Sequence, residues 1–302
     1  MGANMNVFQM QAKKIVVMAA LAASFSAIFV RLIDAPAMAI GFYRLSFSLP
    51  FFAVAVLVWN RKELFSVSRK DLAVCMLSGV FLAFHFFTWF TSLSYTTIAS
   101  AVVLCATHPI IILTITTLIF KEKTSRKAII GVMLALVGAA IISGGDYSFS
   151  GRAIIGDVLA LFGALFMALY FLAGRKMRKK LNATVYIFLV FGACWLTFGI
   201  GMLATSTPFL SYSASDFAYM FAVAMICQIG AHAVFNWSLG YVSPLYISTI
   251  ETGEAIGATI LAALIFAEIP TPWQLVGGIV TISGLIYYNY HDAKAQKVFE
   301  EL

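Results

Sequence analysis

The chain is 302 residues long, 62% apolar and only 11% charged, with a net charge of +7. Soluble domains are nearer half apolar and a quarter charged, so this composition excludes a water-soluble globular protein and makes lipid the main solvent. The positive charge is no sign of nucleic acid, because Lys and Arg gather in short stretches between apolar runs, with no basic stripe interleaved with base-stacking aromatics.

Crossing the hydrocarbon takes about 20 apolar residues in a helix. Runs of that length fall at about 15–33, 37–58, 71–94, 97–119, 127–143, 154–173, 183–204, 217–239, 244–266 and 273–290. The first, preceded by Lys13 and Lys14, has a signal-peptide flavour, but its apolar stretch is too long for one. The connections are short and leave no room for a soluble module. Cys75, Cys105, Cys194 and Cys227 each lie inside an apolar run, without a CxxC pair or a Cys/His cluster at metal spacing, and read as isolated thiols.

Basic residues near membrane spans stay on the cytoplasmic side. With the N-terminus inside, every Lys and Arg except Arg31, Arg44 and Arg152 falls at a cytoplasmic end. Both termini are therefore expected in the cytoplasm, in the inner (plasma) membrane.

The chain also repeats itself. A shift of 146 residues lays 91–141 over 237–287, so that SLSY (92–95) meets SLGY (238–241) and LIFKE (118–122) meets LIFAE (264–268). Gly131 then meets Gly277, and Gly138 meets Gly284. An odd number of helices per copy forces the second copy to insert upside down, and the charges agree. The loop at 59–70 carries four basic residues, whereas its counterpart near 205–216 carries only Asp216. The expected fold is an all-α membrane protein with ten transmembrane helices as two inverted five-helix repeats, 1–143 and 154–290, and a cytoplasmic tail, 291–302. Inverted repeats of this kind are a transporter architecture.

Three stretches carry a family likeness: FHFFTWFTSLSYTTIASAVVL with HPIIILTITTLIFKE (84–122), GDVLALFGALFMALYFLAGRKMRKK (156–180), and FNWSLGYVSPLYISTIETGEAIGATILAALIFAEIPTPWQLVGG (235–278). On these the chain resembles the EamA family of the drug/metabolite transporter superfamily over nearly its whole length. The resemblance implies ten helices, a central cavity between the halves, and movement of metabolites by alternating access. The chain departs from the family where Glu-Pro is usual in the ninth helix: it has Glu254-Ala255, and His108 precedes the matching Pro109 of the first repeat.

An ionisable group at the bilayer centre costs about 2.5–3.5 kcal/mol, so each one needs a reason. Glu254 and His108 are both mid-span and equivalent under the shift, so they should approach the midplane together. Glu254 is read as the partner of a cationic or amine group or as a proton carrier, against a carboxyl hydrogen-bonded between packed helices. Glu251 lies three residues earlier on nearly the same face. Arg44, about one turn into the second helix, either snorkels, pairs with Asp34 or a carbonyl, or grips a substrate carboxylate. Arg31 reads as an interfacial anchor, and Glu122 and Glu268 as helix ends at the membrane edge. His85 and Trp89 share a face of the third helix, as His232 and Asn236 do on the eighth, and Tyr170 faces inward from the sixth. Such a lining suits an amphiphilic or aromatic cargo, and interhelical hydrogen bonding is its bland alternative.

No GxxxxGK[ST], HExxH or GxSxG is present, so neither direct ATP use nor a familiar intramembrane enzyme is expected. No external module is present to serve a receptor or scaffold. The expected function is a secondary transporter, and more specifically an exporter, of a small organic metabolite such as an amino acid or amine, needing no cofactor. Its partners are a small-molecule substrate and the bilayer. One chain supplies both halves, so a monomer suffices, and a homodimer is equally compatible with the pattern.

Overall fold

A computed structural model describes residues 2–119, 121, 125–147 and 151–300. The described residues form helices and connecting turns. Eight helical stretches are long and apolar enough to cross a membrane: Met10–Leu32, Ala37–Trp59, Arg69–Ser92, Ile98–Leu118, Gly151–Met177, Ala183–Ala204, Ala214–Ser238 and Tyr246–Phe266. They match the first four and the sixth to ninth predicted spans. The fifth and tenth predicted spans fall on helices Arg126–Tyr147 and Pro272–Glu300. In the first of these the described apolar part is Ile129–Ile142. Glu122 and Lys123 lie outside the described residues.

Those two helices lie side by side, and the predicted glycine spacing explains how. Gly131 faces Gly284 and Gly138 faces Gly277. A Cβ on either Gly131 or Gly284 would stand 2.6 Å from the other's carbonyl oxygen, so only bare backbone allows this approach. Elsewhere the halves interleave. Helix Arg69–Ser92 packs against Gly151–Met177 and Ala183–Ala204, and Ala37–Trp59 packs against Ala183–Ala204. Near the Arg69 end, Lys180 pairs with Asp71 at 2.7 Å, and the Asn182 amide donates to Glu63 at 2.6 Å. At the opposite end, Arg31 reaches Glu268 at 3.8 Å and the Thr96 carbonyl at 3.1 Å. Arg31 therefore ties elements together as well as sitting at an edge, and Glu268 is its partner.

The predicted spans were continuous, and the structure breaks three of them. Gly2–Ala23 stops before Ser26–Leu32, Ile98–Cys105 before His108–Leu118, and Pro244–Glu251 before Gly253–Phe266. Each break carries a hydroxyl, of Ser24, Thr107 or Thr252, that bonds a carbonyl of the preceding turn, at 3.1, 2.6 and 3.1 Å. In the first repeat Pro109 also has no N–H to offer the Cys105 carbonyl four residues back. The second and third breaks fall at the same place of the two repeats. Irregular backbone at membrane depth is tolerated only where protein buries it or where it lines a cavity. A further irregularity is the π-helical stretch Val223–Ala233 within the eighth span.

Candidate functional site

The breaks converge on one internal cavity. His108 begins the helix after the first-repeat break, Glu251 ends the helix before the second-repeat break, and Glu254 is the second residue of the helix after it. All three line the cavity, together with His85, Trp89 and His232. Ser26 sits beside the remaining break, and Cys105 and Cys227 complete the polar part of the wall. The cavity volume is about 30 Å³, room for one or two waters and too little for an organic molecule.

Two larger recesses of about 370 and 410 Å³ lie at opposite ends of helix Arg69–Ser92. One is walled by Arg31, Phe90 and Tyr95, the other by Arg178, Trp237 and Tyr241, and neither shares a residue with the central cavity. The three spaces are thus lined by separate sets of residues.

Proton positions on the histidines follow from their partners. The His108 Nδ1 lies 3.2 Å from the Cys105 carbonyl, the acceptor that Pro109 leaves open. A carbonyl only accepts, so Nδ1 carries the hydrogen and Nε2 turns toward Glu251, whose Oε2 is 3.2 Å away. Both groups are buried. His85 repeats the pattern, its Nδ1 donating to the Gly163 carbonyl at 2.9 Å and its ring nearly parallel to Trp89, with centroids 6.3 Å apart. The His85 and His232 ring centroids also lie 6.3 Å apart.

Arg44 departs from two of its readings. It is fully buried rather than snorkelled, and it does not pair with Asp34, whose backbone amide instead bonds Asp216 at 2.9 Å. The Arg44 guanidinium donates to the Gln228 side chain, reaches the Ser26 hydroxyl at 3.4 Å, and lies 4.0 Å from the centroid of the Phe86 ring. It stands one side chain behind the cavity wall, within electrostatic range of Glu254. Asn236 and Tyr170 also lie off the cavity. Both are fully buried, and the Tyr170 hydroxyl faces the Asn236 amide without closing hydrogen-bond geometry.

Gln228, Ser26 and the two cavity cysteines were not among the expected site residues. A signal for Gln228 was present, since Gln228, His232 and Asn236 recur every four residues in an apolar helix.

A model of the EamA-like transporter family matches residues 13–144 and again 154–290. An uncharacterized transporter of Archaeoglobus fulgidus is 27% identical over 272 residues, covering 87% of this chain and 91% of its own. The uncharacterized transporter YdfC of Bacillus subtilis is 26% identical over 76% of this chain and 75% of its own length. A crystal structure at 17% identity superposes with a TM-score of 0.68 over 95% of this chain and 99% of that one, a likeness of fold alone.

Proposed function

Because this chain belongs to the EamA-like transporter family, we propose that it is a secondary transporter of a small organic metabolite such as an amino acid or amine. Its spans are read as ten, in two inverted five-helix repeats, 1–143 and 154–290, that rock around the central cavity. The observation that carries this reading is the placement of His108 and Glu254, related by the repeat, in one central cavity, the kind of place where inverted-repeat carriers bind their cargo.

Within the cavity Glu254 is the acidic group for a cationic or amine end of the substrate. The same carboxyl group holds either a proton or that cation, so binding one releases the other. Where the proton gradient points inward, this exchange drives export. His85, Trp89 and His232 supply the aromatic wall, and Arg44 stands behind it with a guanidinium for a carboxylate.

Purified protein in liposomes tests the proposal. Net accumulation of a radiolabelled amino acid or amine should need an imposed gradient and depend on the protein. Candidates come from a thermal-shift screen, because a ligand at 100 times its Kd stabilises the folded state by about 2.7 kcal/mol. An absence of flux for every compound that shifts the melting point would defeat the transport reading.

We place the chain in the inner (plasma) membrane with both termini cytoplasmic. The four native cysteines are buried or part-buried, so newly placed ones report location. Ser66 and Ser213 are both exposed. A cysteine at Ser213 should react with an impermeant maleimide on intact cells, and one at Ser66 only after permeabilisation. The opposite pattern would invert every loop.

A further inference from the structure

We propose that the buried His108–Glu251 pair is a proton-operated latch between the two repeats, closed while it holds one proton and parted when that proton leaves. The inference rests on the cavity being the transport site and adds a second proton-holding group beside Glu254.

The geometry leaves little choice of protonation. His108 Nδ1 spends its hydrogen on the Cys105 carbonyl, so Nε2 offers either a lone pair or a second hydrogen. Glu251 Oε2 stands 3.2 Å away without closing hydrogen-bond geometry, and among the described residues neither atom has a hydrogen-bond partner. With one proton between them, N–H faces O⁻ or N faces H–O, and the contact is attractive. With none, a lone pair faces a carboxylate at membrane depth, and the contact is repulsive. The proton that departs passes to water entering the cavity.

The location makes this contact consequential. His108 belongs to the first repeat and Glu251 to the second, each at its own helix break. Under the 146-residue shift Glu251 occupies the place of Cys105, and Glu254 that of His108. Two equivalent positions are thus filled differently in the two copies, and across the pseudo-axis they give one acid–base pair and one spare acid.

Other ionisable groups face the pair from the surrounding helices. Glu254 lies one turn on, and Cys105 and Tyr170 are within electrostatic range of Glu251, as His85 is of His108. His232 and, behind Ser26, Arg44 stand across the cavity. Of these, Glu254 changes charge when substrate binds.

Glu251→Gln imitates the closed latch, because its amide N–H donates to Nε2 without a titrating proton. Cys227 lines the cavity and serves as a native reporter. Its alkylation by N-ethylmaleimide is measured by mass spectrometry on the full chain in nanodiscs, from roughly pH 5 to 9. Dividing the wild-type rate by the Glu251→Gln rate at each pH removes the intrinsic titration of the thiol. The ratio should be near one at the acid end and then rise about tenfold per pH unit as one proton leaves. His108→Gln also keeps a permanent donor toward Glu251, so its profile should follow that of Glu251→Gln, and it replaces that variant as the reference if Glu251→Gln fails to fold. A ratio that stays flat, or a His108→Gln profile that follows wild type, would overturn the latch. No substrate enters this measurement. A rising ratio without flux in liposomes would sink the transport reading and leave the latch standing.

Discussion

Replacing Glu254 with Gln is expected to abolish transport driven by a pH gradient while leaving the protein folded and inserted. The substitution keeps size and hydrogen bonding but removes both the negative charge and the titrating proton. A charge-assisted hydrogen bond contributes about 1.5–3 kcal/mol, so a cationic substrate should bind roughly ten- to a hundredfold more weakly. Net accumulation should fall to the protein-free background, because the side chain can no longer exchange a proton for a cation. Exchange between equal substrate pools at saturating concentration needs no net proton movement and is expected to persist. Gradient-driven uptake into inverted vesicles and isotope exchange, run side by side on one preparation, separate the two. If the variant accumulates substrate like the parent, Glu254 is a structural carboxyl and the exchange mechanism fails. If the variant does not fold, Glu254 is needed as a buried polar partner.

A large effect on stability is expected from Gly138→Leu. A Cβ at this position would stand 2.5 Å from the Gly277 carbonyl oxygen and 2.5 Å from the Thr281 amide, both of them backbone atoms that cannot rotate away. The helices Arg126–Tyr147 and Pro272–Glu300 would have to separate. Overpacking in a tight core costs about 1–3 kcal/mol, and contact with rigid backbone belongs at the upper end or beyond. The unfolding midpoint in detergent should drop markedly, while Gly192→Ala, where nothing lies within 4 Å of the added methyl, should leave it unchanged. Equal midpoints for Gly138→Leu and the parent would show that this helix pair contributes little to stability.

Several site residues were legible because burying an ionisable side chain in lipid is costly wherever it occurs. That argument found Glu254, His108, Glu251, His85 and His232 from one dimension of information, and all five line the cavity. It also pointed to Asn236 and Tyr170, which are buried as expected but pack against each other away from the cavity. For Arg44 it indicated a need for partners without saying which. The rule that long basic side chains snorkel favoured the interface, and Gln228, Ser26 and the Phe86 ring outweigh it by giving the guanidinium an interior site. The helix breaks were harder to see. Ser24, Thr107 and Thr252 look like ordinary hydroxyls in apolar runs, and hydroxyls such as Thr88, Thr197 and Thr259 make the same bond to the preceding turn in unbroken helices.

The sequence by itself determined the solvent, the positions of the long apolar helices and the internal repeat. These follow from transfer free energies and charge placement, which accumulate residue by residue along the chain and need no knowledge of neighbours. It also specified the glycine spacing that lets two helices touch, since bare backbone permits close approach to any partner. Tertiary structure alone decided which partners meet. That His108 faces Glu251 across the repeats, that Arg44 is held by Gln228, and that the cavity closes to about 30 Å³ all depend on distances between residues remote in sequence. Hydrogen bonds and ion contacts lose their strength within a few ångströms, so they belong to the packed arrangement and leave no periodic trace in the chain that makes them.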